Sequence, residues 1–149
     1  MPFSTSLTLE ELTGYLGRLL AHLVPDGREN VPERRQVDTA LERLERCFAG
    51  IHRKYYTVDG SSRFDHLNGD HLATFLYLLA NTVHAGDGDP AVATKLFSVN
   101  KTLHGLDLFY SVRMPDVFLL VHPVGTVIGN AEYSDELVVY QNCTIGSQD

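Results

Sequence analysis

His122 is the side chain in this sequence that we expect to act as a catalytic base. It stands directly ahead of two short steps, Val-Ile-Gly at residues 127–129 and Thr-Ile-Gly at residues 144–146. A hydroxyl group is a poor nucleophile until a base within hydrogen-bond reach takes its proton, and imidazole does this near neutral pH. The alternative is a corner histidine that hydrogen-bonds a backbone carbonyl. Both interpretations of His122 stay open on these residues alone.

The segment that must position His122 has a six-residue period. Tyr133, Val139 and Ile145 recur at intervals of six residues. This period fits neither an amphipathic helix nor an isolated strand, and it is typical of hexapeptide coils, in which the chain turns a corner after each short strand. The aliphatic residue should point inward and stack on its counterpart one turn above, and the glycine after it tolerates the backbone angles of the corner.

Four amphipathic helices are predicted ahead of this segment. Apolar residues recur there at helical spacing, Thr8 with Glu11 forms a capping box, and Pro32 is expected in the first turn of the second helix. A turn-rich polar segment over residues 54–69 is predicted to be a loop. The predicted helices cover residues 8–24, 32–50, 70–84 and a final stretch that begins at Asp89-Pro90.

The helical pattern stops at Gly105 and the β-type pattern begins. We therefore predict an α+β protein with an α-helical domain over residues 1–105 and the first coils of a β-helix over residues 106–149. A solenoid repeat cannot bury its apolar face alone, and only about two coils of sequence are present. We expect the chain to be a fragment, or a partner to supply the missing coils.

The composition narrows the class of protein. A formal charge of −7 and a pI near 5.4 argue against a nucleic-acid partner, because no basic stripe is present to displace counterions from phosphates. The sequence has no pattern typical of a signal peptide or of a membrane span. Its two cysteines, Cys47 and Cys143, are far apart and are expected to be reduced thiols in a cytoplasmic protein.

The C-terminal motifs resemble those of the serine acetyltransferases. These are hexapeptide-repeat acyltransferases with a helical N-terminal domain and a C-terminal left-handed parallel β-helix. The family pattern His-x-x-Gly-x-[Val/Ile]-[Val/Ile]-Gly matches residues 122–129, and Gln-x-x-Thr-[Leu/Ile]-Gly matches residues 141–146. The two blocks lie one residue closer together than in the family. The resemblance covers the order of parts along the whole chain, but its motifs are confined to residues 107–146.

The resemblance implies an activity and a set of roles. It implies transfer of an acetyl group from acetyl-CoA to a hydroxyl acceptor, with His122 as the general base. In the family an aspartate fifteen positions earlier orients the histidine, and here that position is Asp107. The resemblance also implies a homotrimer or a dimer of trimers, with CoA bound along the β-helix between subunits.

One departure from the family concerns the acceptor. The family has an aspartate directly before the catalytic histidine that binds the amino group of serine, whereas this chain has Val121. An aliphatic side chain cannot pair with an ammonium group, so another hydroxyl compound, such as a sugar, is expected as the acceptor. A second family aspartate contacts serine near the start of a late N-terminal helix, and Asp65 and Asp70 are the candidates for that role.

Two further hypotheses stay open from the sequence. The chain could be a non-catalytic oligomerisation or interaction module of the same fold, with helices that dock a partner. Histidines at positions 66 and 71 flank Asp70, but this spacing is not that of a known metal site and favours a polar loop and helix cap. Zinc in a β-helix needs three histidines from the coil, and the coil region offers only His122, so no metal is expected.

Overall fold

The computed structural model describes residues 3–146, which form a mixed α/β protein with four helices and small parallel sheets. The predicted number of helices is confirmed for this part of the chain. The helices are α1 Leu9–Leu23, α2 Arg34–Ala49, α3 Gly69–Ala85 and α4 Pro90–His104. The strands are β1 Ser4–Thr5, β2 Thr57–Val58, β3 Ser61–Phe64, β4 Leu106–Leu108, β5 Phe118–Leu120, β6 Thr126–Ile128, β7 Leu137–Val139 and β8 Thr144–Ile145.

Side-chain caps set where the helices begin. The Thr8 hydroxyl accepts from the Glu11 backbone N–H at 3.2 Å and the Glu11 carboxylate accepts from the Thr8 N–H at 2.8 Å, which confirms the predicted capping box of α1. The Asp89 carboxylate caps α4 through the N–H of Ala91. The prediction for Pro32 was wrong: Glu33 is the N-cap of α2, so the proline lies ahead of the cap.

Helix α3 is the centre of the helical part. From Leu72 to Ala80 every residue is buried, because α2 packs on one side and α4 on another, and β5 contacts it as well. A helix that is apolar on all sides needs such neighbours to cover it. Within residues 3–146, no helix has both the length and the apolar character needed to cross a bilayer.

The predicted loop over residues 54–69 contains a β-hairpin. Asp59 and Gly60 join β2 to β3, and both have positive φ angles, 50° and 77°. This two-residue turn matches the right-handed twist of paired strands, and Asp-Gly is one of its preferred sequences. Strand β1 adds to the other side of β3 in parallel orientation. The segment is therefore ordered against the helices, and Phe64 is buried in the core.

The C-terminal part consists of two parallel ladders. One has the order β4-β6-β8, with Leu108, Ile128 and Ile145 in register, and the other pairs β5 with β7. Leu108 and Ile128 are buried in a core that is continuous with that of the helices. The predicted stacking of aliphatic residues on the next rung is therefore present at these positions. The described residues show these ladders and do not show a closed β-helix.

Gly129, which follows β6, is predicted to be essential for stacking the last rung. A Cβ atom at this position would lie 2.8 Å from the carbonyl oxygen of Ile145 and 2.9 Å from the backbone of Gly146. Backbone cannot swing aside as a flexible side chain can, so we expect Gly129→Ala to lower the free energy of unfolding by about 1–3 kcal/mol. Urea denaturation measures the change.

The control for this prediction is Gly17→Ala in α1. A Cβ at Gly17 meets nothing within 4 Å, and alanine is the better helix former, so this variant should be at least as stable as the parent. A Gly129→Ala protein as stable as the parent would show that β8 does not pack against β6 as described.

Candidate functional site

His122 lies on an exposed turn between β5 and β6. Its φ angle is +47°, a left-handed conformation that is uncommon for residues other than glycine. Its carbonyl oxygen accepts from the Val124 N–H at 2.7 Å, and the Val121 N–H donates to Val139 in the neighbouring strand β7 at 2.9 Å. The turn is thus fixed by backbone hydrogen bonds on both sides of His122. The imidazole itself is exposed to solvent, where it is accessible to a substrate.

Asp70 holds the backbone of this turn. Both of its carboxylate oxygens accept from the His122 N–H, each at 3.2 Å. Asp70 is in the first turn of α3, and the N-cap of that helix, Asn68, accepts from the backbone N–H of Asp70 at 3.1 Å. The structure therefore brings one of the two predicted acceptor-binding aspartates directly to the predicted base. It does so through a helix N-terminus, where a carboxylate is favourably placed.

Asp107 is the central residue of β4, in register with Val127 of β6. Its carboxylate accepts from the Lys101 ammonium group at 2.9 Å, and both side chains are partly exposed. Across residues 3–146, no hydrogen bond joins Asp107 to His122. The role of Asp107 as the group that orients His122 stays a prediction.

Asp65 has a local role in the loop before α3. Its Oδ1 accepts from the Leu67 N–H at 3.0 Å, and its own backbone N–H donates to Nδ1 of His71 at 3.1 Å. Asp65 therefore forms hydrogen bonds within its own loop and with the start of α3. The aspartate that contacts the His122 backbone is Asp70.

A cavity of about 250 Å³ opens beside the His122 turn. Its lining includes Asp70, His122 and Val121. Val121 is half-buried and packs against the hydrophobic core, so at this position the cavity has an apolar contact instead of a charge. The remaining lining residues are Arg53, Lys54, Tyr55, Tyr56 and Leu119.

Two aromatic side chains next to this cavity carry buried polar atoms. Tyr56 and His71 are 5 % and 0 % exposed, and their ring centroids lie 4.4 Å apart. Within the described part of the chain, neither the Tyr56 hydroxyl nor Nε2 of His71 has a hydrogen-bond partner. Burial lowers the pKa of His71 to about 4 and raises the pKa of Tyr56, which the nearby negative charge of Asp70 raises further. Both groups are therefore neutral at pH 7.

His104 is a second histidine that packs against the start of α3. The Asn100 amide donates to the carbonyl of Ala73 at 3.0 Å, so its Oδ1 accepts from Nδ1 of His104 at 2.7 Å. Burial lowers the pKa of His104. Its partner Asn100 makes the hydrogen bond that joins α4 to α3. In the sequence the pair is visible only as Asn and His four residues apart on one helix, a spacing that also occurs on ordinary solvated helix ends.

Within residues 3–146, the cysteines and the acidic side chains provide no second candidate for a nucleophile or a metal site. Cys47 is buried, its thiol donates to the carbonyl of Phe118 at 3.2 Å, and burial raises its pKa to about 11, so it is not a nucleophile near neutral pH. Cys143 is half-buried and unpaired. Over residues 3–146, no group of three or more His, Cys, Asp or Glu side chains is arranged to hold a metal ion.

Comparison of the chain with models of protein families, with curated protein sequences and with solved structures gave no significant match. A function is therefore inferred from the motifs around His122 and from the geometry of its turn and cavity.

Proposed function

We propose that this chain is an O-acetyltransferase that moves an acetyl group from acetyl-CoA to a hydroxyl acceptor, with His122 as the general base. The observation that carries the proposal is the His122 turn. An exposed imidazole stands beside a cavity of about 250 Å³, on a backbone that Asp70 holds through two contacts of 3.2 Å. A base must be accessible and held in place to act on a bound hydroxyl, and this turn meets both conditions.

The proposed reaction is a single displacement at the thioester. As the acceptor oxygen attacks the acetyl carbonyl carbon, the His122 imidazole takes the hydroxyl proton and becomes an imidazolium. A tetrahedral oxyanion forms and then collapses, and the carbon–sulfur bond breaks. The leaving CoA sulfur takes the proton from the imidazolium, so the products are an acetyl ester and free CoA thiol, and the histidine returns to its neutral form.

The fold supports this proposal in its coarse features. Parallel ladders with aliphatic residues in register, and glycines after β6 and β8, are what the first coils of a left-handed β-helix require. We include that fold in the proposal, together with a homotrimer or dimer of trimers and a cytoplasmic location. Analytical ultracentrifugation of the chain tests the assembly, and a monomer at micromolar concentration would contradict it.

Release of CoA thiol tests the activity. The chain is incubated with acetyl-CoA and a panel of hydroxyl compounds, and free thiol is measured with a disulfide reagent against reactions that lack the acceptor. Thiol release that depends on one acceptor class supports the proposal. Failure of the chain to bind acetyl-CoA in a calorimetric titration, together with no release, contradicts it.

Asp107 is proposed to orient His122 during this reaction. Asp107→Asn should then lower kcat about tenfold or more, with little change in KM for the acceptor. The loss should not exceed the rate enhancement of about 10² to 10⁴ that a general base contributes in total. Lys101→Met is the matched control, because it breaks the Lys101–Asp107 ion pair and leaves the carboxylate in place. An exposed pair of this kind contributes at most about 1 kcal/mol to stability. If both variants keep the parent kcat, Asp107 serves only the ion pair.

One observation favours a second candidate function, a non-catalytic interaction module. The carboxylate predicted to orient the base is bonded to Lys101 at 2.9 Å. If that ion pair is its only role, the coil could serve as a rigid stem for helices that dock a partner. The acetyl-CoA titration distinguishes the two functions, since a module of this kind gives neither heat nor a thermal shift with acetyl-CoA or CoA.

A further inference from the structure

Tyr56 lines the cavity beside His122, and its hydroxyl is buried without a hydrogen-bond partner among the described residues. Tyr56 is 5 % exposed, and its ring is held by Phe48 and His71, with centroids at 4.8 and 4.4 Å. Within residues 3–146, no atom accepts its proton. Burying an unpaired hydroxyl is unfavourable, and a ligand that accepts its proton would recover part of this cost.

The second polar group in the cavity is the carboxylate of Asp70. It accepts one backbone N–H, that of His122, shared between its two oxygens. An ionised carboxylate has about four acceptor positions, so Asp70 can accept further hydrogen bonds from a ligand. Of the residues that line the cavity, Tyr56 therefore has a buried hydroxyl proton that needs an acceptor, and Asp70 has carboxylate oxygens that need a donor.

A ligand hydroxyl has the chemistry that both groups lack. It accepts from Tyr56 and donates to Asp70, whereas an ammonium group only donates and leaves the Tyr56 proton unpaired. The charge of the cavity also disfavours a cationic ligand, because Arg53 and Lys54 line it together with the single carboxylate of Asp70. The acceptor should thus be neutral, with more than one hydroxyl group.

The remaining lining of the cavity is apolar. Leu119 and Val121 contribute aliphatic surface, and the exposed ring of Tyr55 adds an aromatic face. Pyranose sugars present C–H faces that pack on such surfaces, with hydroxyl groups at the ring edge. We propose that the cavity binds a neutral sugar as the acetyl acceptor, with Tyr56 and Asp70 as the residues that bind its hydroxyl groups. This inference rests on the proposed function and names the acceptor class for the same site.

Binding of single compounds, measured without turnover, tests the inference. D-glucose, N-acetyl-D-glucosamine and L-serine are titrated into the chain, and binding is followed by saturation-transfer difference NMR. At least one of the two sugars should bind and L-serine should not. Tyr56→Phe should weaken sugar binding about tenfold, because it removes the hydroxyl and keeps the ring. Tyr110→Phe, which removes a hydroxyl from a residue that does not line the cavity, should leave binding unchanged.

Binding of L-serine but of neither sugar overturns the inference, as does the absence of binding by all three compounds or equal sugar binding by the parent and Tyr56→Phe. A thermal midpoint of Tyr56→Phe within a few degrees of the parent shows that the variant is folded. CoA-thiol release separates the two proposals: sugar binding without release contradicts the acetyltransferase activity, and release with L-serine alone contradicts the sugar assignment.

Discussion

Replacing His122 by alanine is expected to lower the rate of acetyl transfer by about 10²- to 10⁴-fold. The imidazole is proposed to remove the acceptor proton, and Tyr56, which also lines the cavity, keeps its own proton at neutral pH. The fold should be preserved, because the side chain is exposed and the backbone N–H bonded to Asp70 remains in the variant. Initial rates of CoA-thiol release at saturating acetyl-CoA measure the loss.

The matched control is His22→Ala, which removes an exposed histidine from the last turn of α1. Surface substitutions away from a site rarely change stability by more than about 0.5 kcal/mol, so this variant should stay folded. Because His22 is not part of the cavity, the variant's rate should stay within about twofold of the parent rate. A His122→Ala protein that is folded and transfers acetyl groups at the parent rate would eliminate His122 as the base, and the acetyltransferase mechanism proposed for this turn with it.

The stability of the chain is expected to fall as the pH drops from about 6.5 to about 4, because of His71. Burial lowers its pKa in the folded protein from 6.5 to about 4. Between these values the unfolded chain binds a proton that the folded chain excludes, so acidification favours unfolding; above 6.5 this contribution is constant. The difference corresponds to about 3 kcal/mol at the lower end of the window. Urea midpoints between pH 4 and pH 8 measure it.

His71→Asn isolates this contribution. The asparagine Oδ1 can take the place of Nδ1 as the acceptor for the Asp65 N–H, and it does not titrate. The variant should be less stable at pH 8, because it leaves space between Phe48 and Tyr56, and its stability should depend less on pH between 6.5 and 4. The part of the slope that remains comes from other groups, including His104. The same slope in the parent and the variant would rule out His71 as its source.

Helices were the most predictable part of the fold. Their apolar residues recur over several turns, so the four helices and the capping box of α1 follow from local spacing. The hairpin over residues 57–64 was missed because its first strand has two residues, too few to show an alternating pattern. The Asp59-Gly60 pair is the available signal, because Asp-Gly favours the two-residue hairpin turn found here.

The candidate site was only partly predictable. His122 was singled out by its position ahead of the glycine steps, and Asp70 by its position near a helix start. The bond between them joins residues 52 positions apart and depends on how α3 packs against β5, which no local pattern encodes. Tyr56 gave no signal at all, because a tyrosine between a charged segment and a hairpin is typical of ordinary loops. Its missing partner is visible only once the core is assembled.

The bond from Asp70 to the His122 backbone ties the base to the most deeply packed helix of the protein. Asp70 sits at the start of α3, and the residues that follow it are covered on every side. If the strands and α3 open in one cooperative unit, the His122 amide should exchange hydrogen as slowly as the amides of the α3 interior. Local opening of the strands alone would break the bond to Asp70 and make the His122 amide exchange faster. A chimera that joins residues 106–146 to an unrelated helical layer would have to supply a carboxylate at the same place to keep this geometry.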